Sequence, residues 1–150
     1  MTPLCPELTA LDLSDLDALL AIETRAYAVP WTRRNLEDSL TGDHIGIACR
    51  HDGQLVGYAF MMQVLDEMHL LNLTVDPGWQ GRGWGRALLD EVKARARALG
   101  CSHLLLEVRH SNHRAIRLYR NNGFSQIGLR RLYYPGPQGR EDAIVMRSSL

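Results

Sequence analysis

Apolar positions recur along the chain at two spacings, one helical and one strand-like, and the switches between them mark out the elements. From Asp15 to Ala28, Leu16, Leu19, Leu20, Ile22 and Ala26 recur with helical spacing behind Ser14, which can cap the first turn. Pro30-Trp31 stops this helix, and Thr32 can cap a second one running to about Leu40. Ile45 to His51 and Leu55 to Val64 read as two strands joined by Asp52-Gly53, a strong hairpin-turn dipeptide. Met68 to Val75 is a third strand, ended by Asp76-Pro77-Gly78.

Between Gly85 and Leu99 the residues Leu88, Leu89, Val92, Ala96 and Leu99 form one apolar stripe opposite Arg86, Asp90, Lys93 and Arg97, and Gly100 ends this helix. His103 to Val108 reads as a short, continuously apolar strand of the kind buried on both faces. Asn112 to Asn121 predicts a further helix carrying Ala115, Ile116 and Tyr119, with Gly123 as its cap. Strands near Ser125 to Tyr133 and Ala143 to Met146 flank a Pro135-Gly136-Pro137 turn. With no repeat, low-complexity tract or linker, the pattern is that of a single α/β domain over residues 1–150.

Length and composition fit that pattern: 150 residues bury a core without disulfide or metal staples, and 45% hydrophobic with 23% charged residues is a globular balance. The longest apolar stretches, such as Ala59 to Met62 and Leu104 to Leu106, fall far short of the ~20 residues that cross a bilayer, so no membrane role is expected. The opening Met1-Thr2-Pro3-Leu4-Cys5-Pro6 lacks a basic region followed by an apolar run, and a cytoplasmic location is expected. Cys5, Cys49 and Cys101 are odd in number and widely spaced, which suggests buried or incidental thiols rather than a disulfide framework or metal clip. The six histidines show no HExxH or paired-ligand spacing, so no metal is expected. Seventeen basic residues balance seventeen acidic ones, which removes the broad cationic footprint of a nucleic-acid binder.

The segment Val75-Asp76-Pro77-Gly78-Trp79-Gln80-Gly81-Arg82-Gly83-Trp84-Gly85-Arg86 joins a strand end to a helix start with glycines at alternating positions. Free amides and the helix dipole at such a start form an anion site suited to a diphosphate, and Arg82 and Arg86 can add charge. A glycine turn serving only tight strand-to-helix packing is the alternative. The loop lacks the Gly-Lys-Ser/Thr of a nucleoside triphosphate site and the GxGxxG spacing of a dinucleotide fold.

Gln80-x-x-Gly83-x-Gly85, after a strand ending Val75-Asp76-Pro77, resembles the acyl-CoA pyrophosphate loop of the GNAT superfamily of N-acetyltransferases. Three stretches are similar to its RimI branch, which acetylates the alanine terminus of ribosomal small-subunit protein 18: Pro30-Trp31-Thr32, Leu106-Glu107-Val108-Arg109-x-Ser111-Asn112, and Ala115-Ile116-x-Leu118-Tyr119-x-x-x-Gly123-Phe124. Arg130-Arg131-x-Tyr133-Tyr134-Pro135 and Gly139-Arg140-Glu141-Asp142-Ala143 look like that branch's last hairpin, so the resemblance runs from about residue 8 to 147. Trp84 stands where the loop more often carries an aliphatic residue, and Gly81 replaces a frequently basic position.

The resemblance implies a GNAT fold: a mixed, mostly antiparallel sheet of six to seven strands with splayed central strands, flanked by about four helices. It implies acetyl-CoA as cosubstrate, held by Leu73, Thr74, Val75, Gln80, Gly81, Arg82, Gly83, Trp84, Gly85, Arg86 and Asn112, with the main chain of residues 73–75 pairing with the pantetheine and facing the acetyl carbonyl. Asn112 can equally cap the helix that follows it. Glu107, an acid in an otherwise apolar strand, reads by itself as an ion-pair member; the resemblance makes it the base that receives the ammonium proton through water. Tyr119 reads by itself as a core tyrosine, and the resemblance makes it the acid that protonates the departing sulfur.

Trp31, Tyr133, Tyr134, Glu141 and Asp142 line the acceptor groove by the same resemblance, although Trp31 can instead staple a helix and the two acids can be solvated turn charges. The expected partner is a protein N-terminus, that of ribosomal small-subunit protein 18, acetylated by direct attack without an acyl-enzyme. A GNAT enzyme acting on lysine, small amines or other termini, and a non-catalytic CoA-binding ribosome-assembly module, are the competing readings.

Overall fold

The computed structural model describes residues 6–150, so Cys5 lies outside the described residues. In order the elements are β1 (Glu7–Ala10), α1 (Leu16–Ala26), α2 (Arg33–Thr41), β2 (Ile45–His51), β3 (Gln54–Val64), β4 (Glu67–Val75), α3 (Trp84–Ala98), β5 (His103–Arg109), α4 (His113–Asn121), β6 (Ser125–Tyr134) and β7 (Glu141–Ser149), with short 3₁₀ turns at Leu13–Asp15 and Pro77–Trp79. The seven strands form one mixed sheet in the order β1-β2-β3-β4-β5-β7-β6. Among the described residues no helix is long and apolar enough to cross a membrane.

The chain divides into two compact units, one comprising the residues up to Phe60 with Asn72–Glu91, the other Met61–Leu71 with Val92–Leu150. In the first, β1 pairs antiparallel with β2, from Glu7↔Arg50 to Ala10↔Ile47. Leu16, Leu19, Ile22 and Glu23 form the buried face of α1, and Thr32 caps α2 by accepting from the Asn35 amide at 3.1 Å. The cap expected at Ser14 is corrected: α1 starts behind Asp15 with no side-chain cap, and the capping box belongs to the preceding 3₁₀ turn, where Asp12 accepts from the Ser14 amide at 2.8 Å and Asp15 accepts from the Asp12 amide at 3.0 Å. An aspartate on either side satisfies two amides where one serine would satisfy one. Asp15 is also held by Arg50 at 2.9 Å. β1 escaped the sequence reading because Glu7–Ala10, with partly or fully exposed side chains, carries no alternation to read.

In the second unit β4 runs parallel to β5 from Glu67↔His103 to Leu70↔Leu106, and Glu107 is the first β5 residue beyond that ladder. β5 pairs along its whole length with β7, which in turn carries β6 through two register shifts. The expectation of a strand buried on both faces is corrected. Leu104, Leu106 and Val108 are buried while Leu105 and Glu107 alternate with them on a half-open face, and three successive leucines had masked that period of two. Leu99 likewise leaves the apolar stripe: it follows the last helical residue and is 47% exposed, whereas Val92 and Ala96 stay buried. The expected helix ends hold, with Gly100 and Gly123 in the left-handed conformation just past α3 and α4.

Candidate active site

The first unit contains the strand end, the glycine loop and the start of α3. Asp76 pins the loop's entrance: its amide donates to the Val56 carbonyl at 2.8 Å, its carboxylate accepts from the Gly78 amide at 3.1 Å, and Arg25 pairs with it at 2.6 Å. Gln80 Nε2 donates to the Val75 carbonyl at 3.2 Å and ties the loop back to β4. Gly81 and Gly83 then take positive φ, and the first helical bond runs from the Ala87 amide to the Gly83 carbonyl. Helix geometry leaves the amides ahead of that bond, those of Trp84, Gly85 and Arg86, without intrahelical acceptors. A Cβ built on Gly83 would meet nothing within 4 Å, so the space beside the loop is open.

The loop's side chains are occupied. Arg82 lies over the Trp79 ring at 4.7 Å, and Arg86 is 3.9 Å from Asp90. Trp84, the unusual aromatic, is buried beside His51 and Trp79, with ring centroids 5.9 and 6.2 Å away, and its indole N–H finds no acceptor. Trp84 thus packs the loop's base, and the group it leaves at the helix start is its main-chain amide.

Behind residues 73–75 of β4 lies a hydrogen-bonded cluster that sequence reasoning missed. Glu23, fully buried, accepts from Tyr58 Oη at 2.9 Å and Asn72 Nδ2 at 2.6 Å on one oxygen, and from the Trp31 amide at 2.9 Å on the other. Thr74 Oγ1 donates to Asn72 Oδ1 at 2.6 Å and meets Tyr27 Oη at 2.7 Å. Burial pushes the Tyr27 phenol up to about 12, and burial with the neighbouring Glu23 charge pushes Tyr58 higher still. The one available signal was Glu23 itself, an acid spaced four residues after Leu19 on the stripe α1 turns inward. Trp31 stacks on Phe60 at 5.8 Å, so both ends of this residue are fixed from within the unit.

The second unit carries the proposed acid and base. Glu107 Oε1 is 3.2 Å from Arg130 Nε, with the glutamate side chain 28% exposed and the arginine 56%. Tyr119, on the buried face of α4, packs its ring against Phe124 at 5.5 Å. Asn112 caps that helix, accepting from the Ala115 amide at 3.2 Å, so its capping role is the one the fold displays. The last hairpin is tightly cross-linked: Arg109 pairs with Glu141 at 2.9 Å, donates to the Pro135 carbonyl at 2.7 Å and lies over the Tyr134 ring at 4.6 Å. Glu141 also accepts from the Ser111 amide at 3.2 Å. Burial alone would raise its carboxyl, but the Ser111 and Arg109 hydrogen bonds hold it below the usual carboxylate range. Asp142 accepts from the Leu132 amide at 2.9 Å. Both acids, expected as peptide contacts or turn charges, therefore have their side chains engaged in shaping the hairpin.

Tyr133 and Tyr134 pack edge to face, their centroids 5.0 Å apart, and Arg130 covers Tyr133 at 5.1 Å. Tyr134 is raised to about 12, chiefly by burial and then by the Glu107 charge. The two described cysteines are buried free thiols; burial raises Cys49 to about 11, and burial with the nearby Asp66 raises Cys101. Thiols held protonated are poor nucleophiles, so the described cysteines offer no covalent acyl carrier.

Residues 16–124 match the acetyltransferase (GNAT) family model. The chain is 40% identical over 139 residues, 93% of its length and 94% of the relative's, to the [ribosomal protein bS18]-alanine N-acetyltransferase of Escherichia coli K12. The crystal structure of the ribosomal-protein-S18-alanine N-acetyltransferase from Escherichia coli superposes with a TM-score of 0.90 at 38% identity, covering 97% of this chain and 94% of that one. Arabidopsis thaliana NAA60, solved with acetyl-CoA, shares the fold at 21% identity and a TM-score of 0.87, covering 97% and 99% of the two chains. With a family model matched over most of its length and a relative 40% identical over 93% of it, the chain belongs to the GNAT acetyltransferase family.

Proposed function

We propose that residues 1–150 act as one catalytic domain that transfers the acetyl group of acetyl-CoA to the N-terminal α-amino group of a protein, the acceptor being the N-terminal alanine of ribosomal small-subunit protein 18. The observation that carries this reading is the glycine-turned loop between β4 and α3, in a chain 40% identical over 93% of its length to an Escherichia coli enzyme named for that acceptor. A ribosomal-protein acceptor makes the cytoplasm the site of action.

The loop fits the cosubstrate's pyrophosphate: unfilled amides at a helix start, a positive pole behind them and open space at Gly83. Gln80, Gly81, Arg82, Gly83, Trp84, Gly85 and Arg86 would hold it there, the main chain of Leu73, Thr74 and Val75 would pair with the pantetheine, and Asn112 would add a contact beside its cap. Bound acetyl-CoA supplies a thioester carbonyl and a thiolate leaving group. An α-amine with a pKa of about 7.7 to 8.0 needs only modest help to shed its proton near neutrality, and Glu107, half open on its strand face, receives that proton through a water. Tyr119 donates its phenolic proton to the departing sulfur and regains one from the second proton that the nitrogen sheds as the amide forms, so direct attack needs no acyl-enzyme. By the family resemblance Trp31, Tyr133, Tyr134, Glu141 and Asp142 would contact the acceptor peptide, the two acids while also holding the hairpin's shape.

Glu107→Gln and Tyr119→Phe test the assignment. Each should lower kcat by about a hundredfold, the lower end of what a positioned acid or base contributes. Near-normal turnover in both would overturn it.

A further inference from the structure

The cluster behind β4 has a direction that the bond lengths and donor inventory determine. Glu23 is fully buried, and its three partners, Tyr58, Asn72 and the Trp31 amide, are all neutral donors. A carboxylate accepts only, and a main-chain amide donates only. Asn72 must therefore present its NH₂ to Glu23, which turns its carbonyl oxygen toward Thr74. Thr74 has one hydroxyl hydrogen, and the 2.6 Å bond to Asn72 uses it. The 2.7 Å contact between Tyr27 and Thr74 is then donated by Tyr27, whose only hydroxyl hydrogen is thereby drawn away from the Leu73 carbonyl, 3.4 Å distant. Every hydrogen in the chain Tyr27, Thr74, Asn72, Glu23 points toward the carboxylate.

We propose that Glu23 is a positioning residue: its two oxygens, both accepting, set the polarity of this chain and so keep the Leu73 carbonyl free to accept a hydrogen bond from the pantetheine amide of acetyl-CoA. The inference rests on the acetyl-CoA reading given above. An amide at position 23 would reverse the chain hydrogen by hydrogen. Its oxygen stays with the Trp31 amide and its NH₂ takes the place of the oxygen shared by Tyr58 and Asn72, so Tyr58 must turn its hydroxyl hydrogen away and accept there, Asn72 turns its own NH₂ to Thr74, Thr74 donates to Tyr27, and Tyr27 is left to donate to Leu73. The cosubstrate would then compete with a tyrosine for that carbonyl.

The test is calorimetric titration of acetyl-CoA into the wild-type protein, Glu23→Gln, and Glu23→Gln combined with Tyr27→Phe, each first checked for cooperative thermal unfolding. Glu23→Gln should raise Kd by about threefold to tenfold, the value of one contested hydrogen bond. Adding Tyr27→Phe should restore the wild-type Kd within about twofold, because the competing hydrogen is gone. Damage that is merely structural would deepen, not recover, on losing a second buried hydroxyl. Should Glu23→Gln fail to fold, Thr74→Val carries the test. It is close in shape, leaves Glu23 intact and strands the Tyr27 hydrogen on Leu73, so it should weaken binding and be rescued by the same Tyr27→Phe. Single variants that bind like wild type, or double variants that recover nothing, overturn the inference while leaving the acetyl-CoA reading in place. A wild-type protein that does not bind acetyl-CoA defeats that reading and this inference with it.

Discussion

Glu107 and Arg130 form an ion pair at 3.2 Å in which the glutamate is the more buried partner. Half-exposed pairs contribute about 0–1 kcal/mol to stability, so the pair's consequence is for orientation rather than folding. Arg130→Met should shift the unfolding free energy by less than about 1 kcal/mol while lowering kcat several-fold, since the base loses the group that fixes its carboxylate. Denaturant titration and steady-state kinetics on the same preparation separate the two effects.

Gly57 on β3 approaches β4 so closely that an added Cβ would stand 2.9 Å from the Thr74 carbonyl and 3.2 Å from Leu88 Cδ1. The backbone carbonyl has little room to yield, and overpacking of this kind costs about 1–3 kcal/mol. Gly57→Ala should lower the melting temperature and also weaken acetyl-CoA binding, because the displaced segment is the one proposed to pair with the pantetheine. Unchanged affinity in a folded variant would argue against that role for residues 73–75.

Gly83 differs from Gly57 in kind. Its φ is +84° and nothing lies near its Cβ position, so alanine there is strained by backbone conformation alone, at about 1–2 kcal/mol. Gly78→Ala, whose new atom would meet only Asp76 Oδ1 at 3.8 Å, should be nearly silent. Acetyl-CoA affinity measured for the pair should fall for Gly83→Ala and hold for Gly78→Ala.

Tyr27 and Tyr134 are each raised from 10.0 to about 12, and Tyr58 is raised further, in every case first by burial. A phenol whose folded pKa exceeds its unfolded value stabilises the fold fully below the unfolded pKa and loses that contribution as pH climbs through the folded one. Stability from Tyr27 and Tyr134 should therefore hold up to about pH 10 and drain away between pH 10 and pH 12. An alkaline titration followed by tyrosinate absorbance and circular dichroism should show these phenols ionising together with loss of tertiary structure. Their ionisation at pH 10 in an intact fold would contradict the buried environments described.

Most elements were legible because their punctuation is local: Thr32, Asp52-Gly53, Asp76-Pro77 and Gly100 each stop or start an element by their own chemistry. What escaped depends on partners distant in sequence. Glu23 reads as one more acid on a helix until Tyr58 and Asn72 fold onto it, 35 and 49 residues later. The half-open face of β5 was hidden because Leu105 is as apolar as its buried neighbours. Glu107 and Tyr119 were singled out through family resemblance, since burial and packing alone describe them as an ion-pair member and a core tyrosine. Glu141 and Asp142 show the reverse: their acidity was plain, but only the folded hairpin reveals that Ser111, Arg109 and Leu132 claim it.

The most direct test of acetyl transfer to an alanine terminus is a mass-spectrometric assay with acetyl-CoA and two peptides. One carries the opening residues of ribosomal small-subunit protein 18, with a free N-terminal alanine; the other is the same peptide with a blocked terminus and an internal lysine. A single acetyl group on the alanine α-amine of the first, with the second unmodified, is the expected result. Acetylation of the internal lysine, or no transfer to either peptide, would contradict it.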